Sequence, residues 1–348
     1  MRVPVCFTAA VVFGVCAGCS RSASQAAVQQ EPVTFSSGDA TLAGTLFLPG
    51  TPGKHPAVVL FHGSGPQARD SARAEWFAGW GVAALAYDKR GVGESTGDFR
   101  TIPFQDLVDD GIAGIDFLKS RTDIDALHIG VWGLSQGGWL GPLAASRCRD
   151  VAFVIAVSGP GVTPGEQMVF YYENELRARG FSDREIEEAS ALRRKVWNYL
   201  ATGLGYDQAK SAIRRARAKR WYASLIAQRD HLIASFDHAE AAKDDDWYKT
   251  EMNYDPVAAL RKLKVPALFL FGSDDELVPV PKSVEIIRRT LTATGHSDFT
   301  IKIFPGADHG LYLRAATGSI RLAPGYEETM KEWVLKRVQS TDVSSGLY

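Results

Sequence analysis

The chain has 348 residues, 45% of them hydrophobic and 23% charged, which is the composition of one or two ordinary folded domains and excludes a disordered or collagen-like polymer. At this length a large core can be buried without disulfide staples. Lys and Arg total 39 against 40 for Asp and Glu, a formal charge of -1, so nothing in the balance points to a nucleic-acid partner.

Residues 1–18 read as a signal peptide. Met1 and Arg2 form a short positive start, and Val3 to Val15 is almost wholly apolar yet too short for a stable bilayer span. Ala17, Gly18 and Cys19, followed by the polar run Ser20 to Gln30, resemble the lipobox of bacterial lipoproteins, whose cysteine is acylated and becomes the new N-terminus. Cys16 departs from the aliphatic residue usual in that motif, and ordinary cleavage near Ala26 or Ala27 is the alternative. On this reading Cys6 and Cys16 leave with the signal, Cys19 carries the lipid, and Cys148 alone remains, which suits export without a disulfide. Residues 19–32 become a flexible tether. The expected location is the periplasm or the outer membrane as a tethered lipoprotein, otherwise the secreted fraction.

From Val33 onward the pattern alternates. Val33 to Leu48 predicts one or two antiparallel edge strands, and Ala57 to Phe61 a buried strand running into His62-Gly63-Ser64-Gly65-Pro66. A helix is expected from Ala72 to Trp80, a strand from Val82 to Tyr87, and a helix from Phe104 to Ser120 with Leu107, Ile112, Ile115 and Leu118 on one face. His128 to Trp132, Gln136 to Arg147 and Val151 to Val157 continue as strand, helix and strand. This alternation implies right-handed crossovers and a mainly parallel sheet. From Gly165 to about Asn253 the strand signal disappears, and the segment reads as an inserted helical cap in which Leu225, Ile226, Leu232 and Ile233 recur at helical spacing. The alternation resumes with a strand at Val265 to Phe271, a helix at Ser283 to Leu291, a strand at Phe299 to Phe304 and a helix at Tyr326 to Val338. The expected organisation is therefore an α/β core made of residues 33–164 and 254–340, with residues 165–253 inserted as a cap.

The candidate chemistry sits at strand ends. Gly133-Leu134-Ser135-Gln136-Gly137 fits the G-x-S-x-G nucleophile elbow, and its place between an expected strand and an expected helix is the setting that motif requires. In that setting the acid and then the histidine follow the serine in the chain. His55, His62 and His128 precede Ser135, and His231 and His238 fall in the cap, which leaves His296 and His309. His296, beside Thr294 and Gly295, reads as a solvated turn, whereas His309 follows a strand through Pro305-Gly306-Ala307-Asp308 and is the candidate base. The acid should close the strand ending at Phe271, where Asp274, Asp275 and Glu276 stand in a row. Asp275 is the first choice and Asp274 the second, while Asp308 reads as a structural partner. An oxyanion site needs backbone N–H groups, for which Gln136 and Ser64 are the candidates; His62 reads as an organiser of its loop.

Taken together, the His62 to Pro66 run, Tyr87-Asp88-Lys89-Arg90-Gly91-Val92-Gly93-Glu94-Ser95, the Ser135 elbow, Gly272 to Pro279 and Asp308-His309-Gly310 resemble the α/β-hydrolase superfamily over about residues 33–338. The branch they are most similar to is that of bacterial secreted esterases related to serine aminopeptidases and monoglyceride lipases. The resemblance implies an α/β-hydrolase fold, a Ser135 acyl-enzyme, a small-molecule ester as substrate, and neither metal nor organic cofactor. It also implies that Asp88 and Arg90 act as a pair bracing their loop. A serine at the elbow speaks against relatives that use Asp for carbon–halogen bonds or epoxides, or Cys for dienelactones. Ester, thioester and amide substrates remain, the last as an aminopeptidase. A catalytically silent binding lipoprotein on the same fold is the alternative of a different class.

The cap is expected to choose the substrate. Arg193 to Arg220 carries nine basic residues against Asp207 alone, and Asp230 to Glu251 holds seven acids against two lysines. These read as solvated helices that partly neutralise each other, with recognition of anionic headgroups around Arg214 and Arg215 as the sharper alternative. Tyr171, Tyr172, Trp221 and Trp247 are candidates for the lining of an acyl pocket, or simply for helical core.

Overall fold

The computed structural model describes residues 27–100, 102–226, 250–315 and 317–339. The signal segment, Cys19 and most of the tether lie outside these residues, as do His231, His238, Leu232, Ile233, Trp247 and most of the acidic run. Eight strands, β1 (Gln29–Ser37), β2 (Ala40–Leu48), β3 (His55–Phe61), β4 (Ala83–Tyr87), β5 (Ile124–Leu134), β6 (Val154–Val157), β7 (Ala267–Gly272) and β8 (Phe299–Phe304), form one sheet. Its order is β1-β2-β4-β3-β5-β6-β7-β8. The pairs β1 with β2 and β2 with β4 are antiparallel, and every later neighbour is parallel.

Side chains on a strand point alternately to opposite faces, so a strand covered on both sides must be apolar throughout. Strand β3 shows this: Val58 and Leu60 join one core, Val59 and Phe61 the other. The first core packs α1 (Ser71–Gly79), through Ala74 and Phe77, and the C-terminal helix Tyr326–Val338, through Met330, Trp333 and Val334. The second takes α2 (Leu107–Lys119) through Leu107, Ile115 and Leu118, and α3 (Gln136–Arg147) through Trp139, Leu140 and Ala144. Helix α1 begins where Asp70 accepts the N–H of Arg73 at 3.0 Å, satisfying one orphan donor of the first turn.

The segment with no strand signal is helical where it is described: α4 (Pro164–Ala178), α5 (Asp183–Thr202) and α6 (Tyr206–Ala216), followed by a short π-helix at Tyr222–Ile226. The sequence sets these boundaries. Thr163 and Glu166, and Ser182 and Glu185, form reciprocal capping boxes at the starts of α4 and α5, and Gly203, at φ 73°, closes α5 in the left-handed region. The three helices bury a core of their own, including Leu176, Ile186, Val196, Tyr199 and Ile213. The chain then returns through a helical turn at residues 250–252 to α7 (Pro256–Lys262), α8 (Val280–Ala293) and α9 (Tyr326–Val338).

Two features differ from the sequence expectation. Helix α7 lies where no element was expected, because its seven residues are too few to show a period. A small hairpin, β9 (Tyr312–Arg314) with β10 (Ile320–Leu322), follows residue 309, and its three-residue strands fall below the length at which alternation is legible. Among the described residues no helix is long and apolar enough to cross a membrane.

Candidate active site

Because β3, β5, β6, β7 and β8 run in parallel, their carboxyl ends share one edge, and the loops that leave it carry Ser64, Ser135, Asp275 and His309. Ser135 stands between β5 and α3 at φ 58° and ψ -113°, a conformation that costs a non-glycine residue about 1–3 kcal/mol. Its surroundings force it. The Ser135 N–H donates to Val157 O at 2.9 Å, and Gly138 N–H donates to Ser135 O at 2.8 Å. A Cβ on Gly133 would lie 2.2 Å from Gly137 O, and one on Gly137 would lie 2.7 Å from Phe61 O. The two motif glycines are thus needed for close backbone approach, and the second brings the elbow against the loop that carries Ser64.

Asp275 and His309 meet. His309 Nδ1 lies 2.8 Å from Asp275 Oδ2, with the Asp275 side chain fully buried and the His309 side chain 19% exposed. The other carboxylate oxygen, Oδ1, accepts the N–H groups of Leu277 and Val278, each at 2.9 Å. That leaves one oxygen for the imidazole and fixes the carboxylate plane. The loops carrying the pair converge because Gly272 has no side chain: a Cβ there would lie 2.2 Å from Ala307 O. His309 is tied to the elbow through β6, since Ser158, next to the Val157 that holds Ser135 N–H, donates its hydroxyl to His309 O at 2.8 Å. Ser158, itself at φ 49°, is fully buried.

The neighbouring acids go elsewhere. Asp274 Oδ1 accepts from Ser273 Oγ at 2.7 Å, and Asp308 accepts the N–H groups of Gly310 and Tyr312, each at 2.9 Å. His296 Nε2 contacts Val265 O at 2.9 Å, so the turn is anchored rather than freely solvated. His62 Nε2 lies 2.6 Å from Tyr87 O, and burial lowers its pKa to about 4, so its ring is neutral and braces the loop. On that loop Gly63 N–H is committed to Gln67 Oε1 at 3.0 Å, and Ser64 carries the next donor. Gln136, first residue of α3, offers an N–H that has no acceptor within its own helix.

Asp88 and Arg90 do not pair with each other, contrary to the expectation from the motif. Asp88 binds Arg69, and although burial acts to raise its pKa, the hydrogen bonds from Arg69 and Glu94 N–H hold it down at about 2. Arg90 binds buried Asp110 at 2.6 Å and exposed Asp39 at 2.8 Å. The intervening residue, Lys89, and the buried Glu251 both contact the Gln136 side chain or reach it through their charged ends, and neither was singled out from the sequence. Glu251 stands at the end of an acidic run that reads as solvated, which hid it; Lys89 was legible only as part of a loop motif.

Above the site lies α4. Gln167 Nε2 donates to Leu277 O and Asn174 Nδ2 to Glu276 O, so the helix is fastened to the loop after Asp275. Tyr171 and Glu175 of α4 line a cavity of about 570 Å³ together with His309, Leu277, Tyr312 and Arg314. Tyr172 and Trp221 are instead buried in the core of the inserted helices, and Arg193, counted with the basic stretch, is 1% exposed and stacks over the Tyr172 ring. The exposed basic face is smaller than the sequence count suggests.

The strand order, the antiparallel β2 at the start of the sheet and the candidate site at its carboxyl edge define an α/β-hydrolase. Residues 53–238 match the family model of serine aminopeptidase, S33, and the chain belongs to that family. Residues 232–341 match the dienelactone hydrolase family. Among curated proteins, esterase EstD of Thermotoga maritima is 24% identical over 80% of this chain and 61% of its own length. The quorum-quenching protein AidA of Acinetobacter baumannii is 32% identical over 40% of this chain and 46% of its own, and human mitochondrial acyl-coenzyme A thioesterase 2 is 26% identical over 62% and 42%. The chain thus spans about half the length of these curated relatives. Among solved structures, α/β-hydrolase GrgF from Penicillium sp. sh18 superposes with a TM-score of 0.56 at 18% identity, covering 89% of this chain and 98% of its own. An esterase from Pyrococcus furiosus does so with a TM-score of 0.53 at 17% identity, over 89% and 91%. At such identity these likenesses speak for the fold alone.

Proposed function

We propose that the protein is a serine carboxylesterase for short to medium acyl chains, working through an acyl-enzyme on Ser135. The observation that carries this reading is the Asp275–His309 pair, linked through Ser158 to the strained elbow that presents Ser135. In the proposed cycle the Ser135 hydroxyl attacks the ester carbonyl while His309 Nε2 takes its proton. Asp275, accepting the Nδ1–H, selects the tautomer that leaves Nε2 basic and stabilises the imidazolium. The N–H groups of Ser64 and Gln136 receive the negative charge that develops on the carbonyl oxygen. The alcohol leaves with the proton from His309, and water, activated by the same imidazole, releases the acid. Esterase and thioesterase names among the relatives favour an ester or thioester over an amide. Tethering of the exported enzyme through a lipid on Cys19 belongs to the same proposal and is tested by the mass of the N-terminal peptide.

Initial rates on p-nitrophenyl esters from acetate to decanoate, with an amino-acid p-nitroanilide alongside, test the reading. The expected result is turnover of the short esters that falls by about 10⁴-fold or more in Ser135→Ala. Turnover of the anilide alone would move the assignment to an aminopeptidase, and a folded protein inert on both would move it to a binding lipoprotein.

A further inference from the structure

We propose that Lys89 is a positioning residue for acyl transfer: its ammonium aims the oxyanion-site donor of Ser64 and anchors the residue that supplies the second, and Glu251, on the segment returning from the inserted helices, completes the hold. The proposal rests on the serine-hydrolase reading above.

Lys89 lies in the loop after β4 and is 3% exposed. Its Nζ has three acceptors: Gly63 O at 3.0 Å, Gly65 O at 3.1 Å and Gln136 Oε1 at 2.8 Å. An ammonium has three donors, so its bonding capacity is filled. The first contact matters most. The carbonyl of Gly63 and the N–H of Ser64 belong to one peptide unit, and in a planar trans unit the two point in opposite directions. A cation fixed on Gly63 O therefore aims Ser64 N–H away from Lys89, and by polarising the amide makes it a better donor. The contact to Gly65 O clamps the far side of Ser64, at a glycine whose φ of 77° lets the chain turn there.

The third contact reaches the other oxyanion residue. Gln136 is fully buried, and its side-chain Nε2 donates to Glu251 Oε1 at 3.0 Å, so Lys89 and Glu251 hold the two ends of one amide. Glu251 is 5% exposed, and the adjacent Thr250 accepts Phe104 N–H at 2.9 Å. The segment that closes the insertion is thereby joined to the residue after Ser135 and, through Lys89, to the Ser64 loop. The bland alternative is that Lys89 merely fills space and satisfies carbonyls, which would make its charge irrelevant to turnover.

Charge is where the two readings part. Glu251, Asp110 and His62 are the titratable groups that act on Lys89, and the Phe99 ring lies 4.8 Å from Nζ. Burial lowers the Lys89 pKa to about 8, opposed by the carboxylates of Glu251 and Asp110. Burial pushes Glu251 up to about 7, opposed by Gln136 and Lys89. Above pH 7 Glu251 is therefore ionised and favours the charged lysine. As the pH rises through 8 the lysine loses its proton, and the clamp on the Gly63 carbonyl weakens.

The test is kcat and KM for p-nitrophenyl butyrate between pH 6 and 9.5, for the wild type, Lys89→Met and Glu251→Gln, with folding checked by circular dichroism. The expected wild-type kcat falls along a limb near pH 8. Lys89→Met should lower kcat about 10- to 100-fold, less than outright loss of an oxyanion donor, with KM within about threefold and the limb gone. Glu251→Gln removes the anion that supports the ammonium, so the limb should move to lower pH by about half a unit or more. A folded Lys89→Met with wild-type kcat overturns the proposal, as does a Glu251→Gln limb that stays or rises; the second variant decides should Lys89→Met not fold. A wild type without Ser135-dependent turnover removes the esterase reading and this inference together. Ser135-dependent turnover with unmoved variants removes this inference alone.

Discussion

The ends of β5 and β7 hold their side chains through the main chain, whereas α4 is fastened above them by side chains. Ser135 is fixed by bonds from its own N–H and carbonyl, and Asp275 by two backbone N–H groups. Helix α4 rests on Gln167, Asn174 and an ion pair between Glu166 and Lys282 whose side chains are 49% and 56% exposed. A pair so exposed contributes about 0–1 kcal/mol. The two cores of the sheet and the core of the inserted helices are separate clusters. The difference teaches a division of labour. Groups that the proposed chemistry needs in fixed geometry sit where covalent connectivity and backbone bonds set it, and the wall of the cavity beside His309 sits on a helix held by side-chain contacts.

The largest effect should come from the fixed side. Asp275→Asn keeps a carbonyl oxygen for the Leu277 and Val278 N–H groups, which turns the amide NH₂ toward His309 Nδ1. Donor then faces donor, the imidazole adopts the wrong tautomer, and kcat should drop by about 10⁴-fold. Thermal unfolding should stay close to wild type, so a Tm loss matching the rate loss would break the comparison by showing that Asp275 holds the fold. A smaller effect, chiefly on stability, is expected at Asp110, whose charge also supports the Lys89 ammonium. It is 1% exposed and carries Arg90, so Asp110→Ala leaves a buried guanidinium with only exposed Asp39 and the Ser37 oxygens. Removing one partner of a buried pair costs about 3–5 kcal/mol, and the remaining contacts place this loss near 3. Urea unfolding measures it, and a loss under about 1 kcal/mol would show that Asp39 suffices.

The same division explains what the sequence could and could not disclose. The sheet was legible because parallel strands covered on both faces read as unbroken apolar runs, such as Ala57 to Phe61; chain order narrowed the candidate base to His296 and His309, and the loop after a strand favoured His309. The choice of Asp275 over Asp274 was not legible: adjacent carboxylates look alike until the turn places one oxygen on His309 and spends the other on two N–H groups. Asp88 and Arg90 misled for the opposite reason. They are neighbours in a motif, yet their side chains leave the loop in different directions, to Arg69 and to Asp110. Lys89 and Glu251 are 162 residues apart in the chain, so no local pattern could join them. In the insertion the helix starts went unread although Thr163 with Glu166 and Ser182 with Glu185 mark them, and the charge count mistook Arg193 and Glu251 for surface.

The smallest effect tests the fastened side directly. Gln167→Ala and Asn174→Ala each remove one side-chain to backbone hydrogen bond, worth about 1 kcal/mol, and because both act on adjacent carbonyls of one loop their effects should not simply add. The double variant should lose less than about 2 kcal/mol. Turnover of p-nitrophenyl acetate, which needs little of the cavity wall, should stay within about twofold, while KM for longer chains rises. Hydrogen exchange supplies the sharper measurement: amides of α4 should exchange faster in the double variant while those of α3 keep their protection. Equal acceleration in both helices would mean that the insertion and the sheet open as one unit, and that the wall over His309 is as fixed as the elbow beneath it.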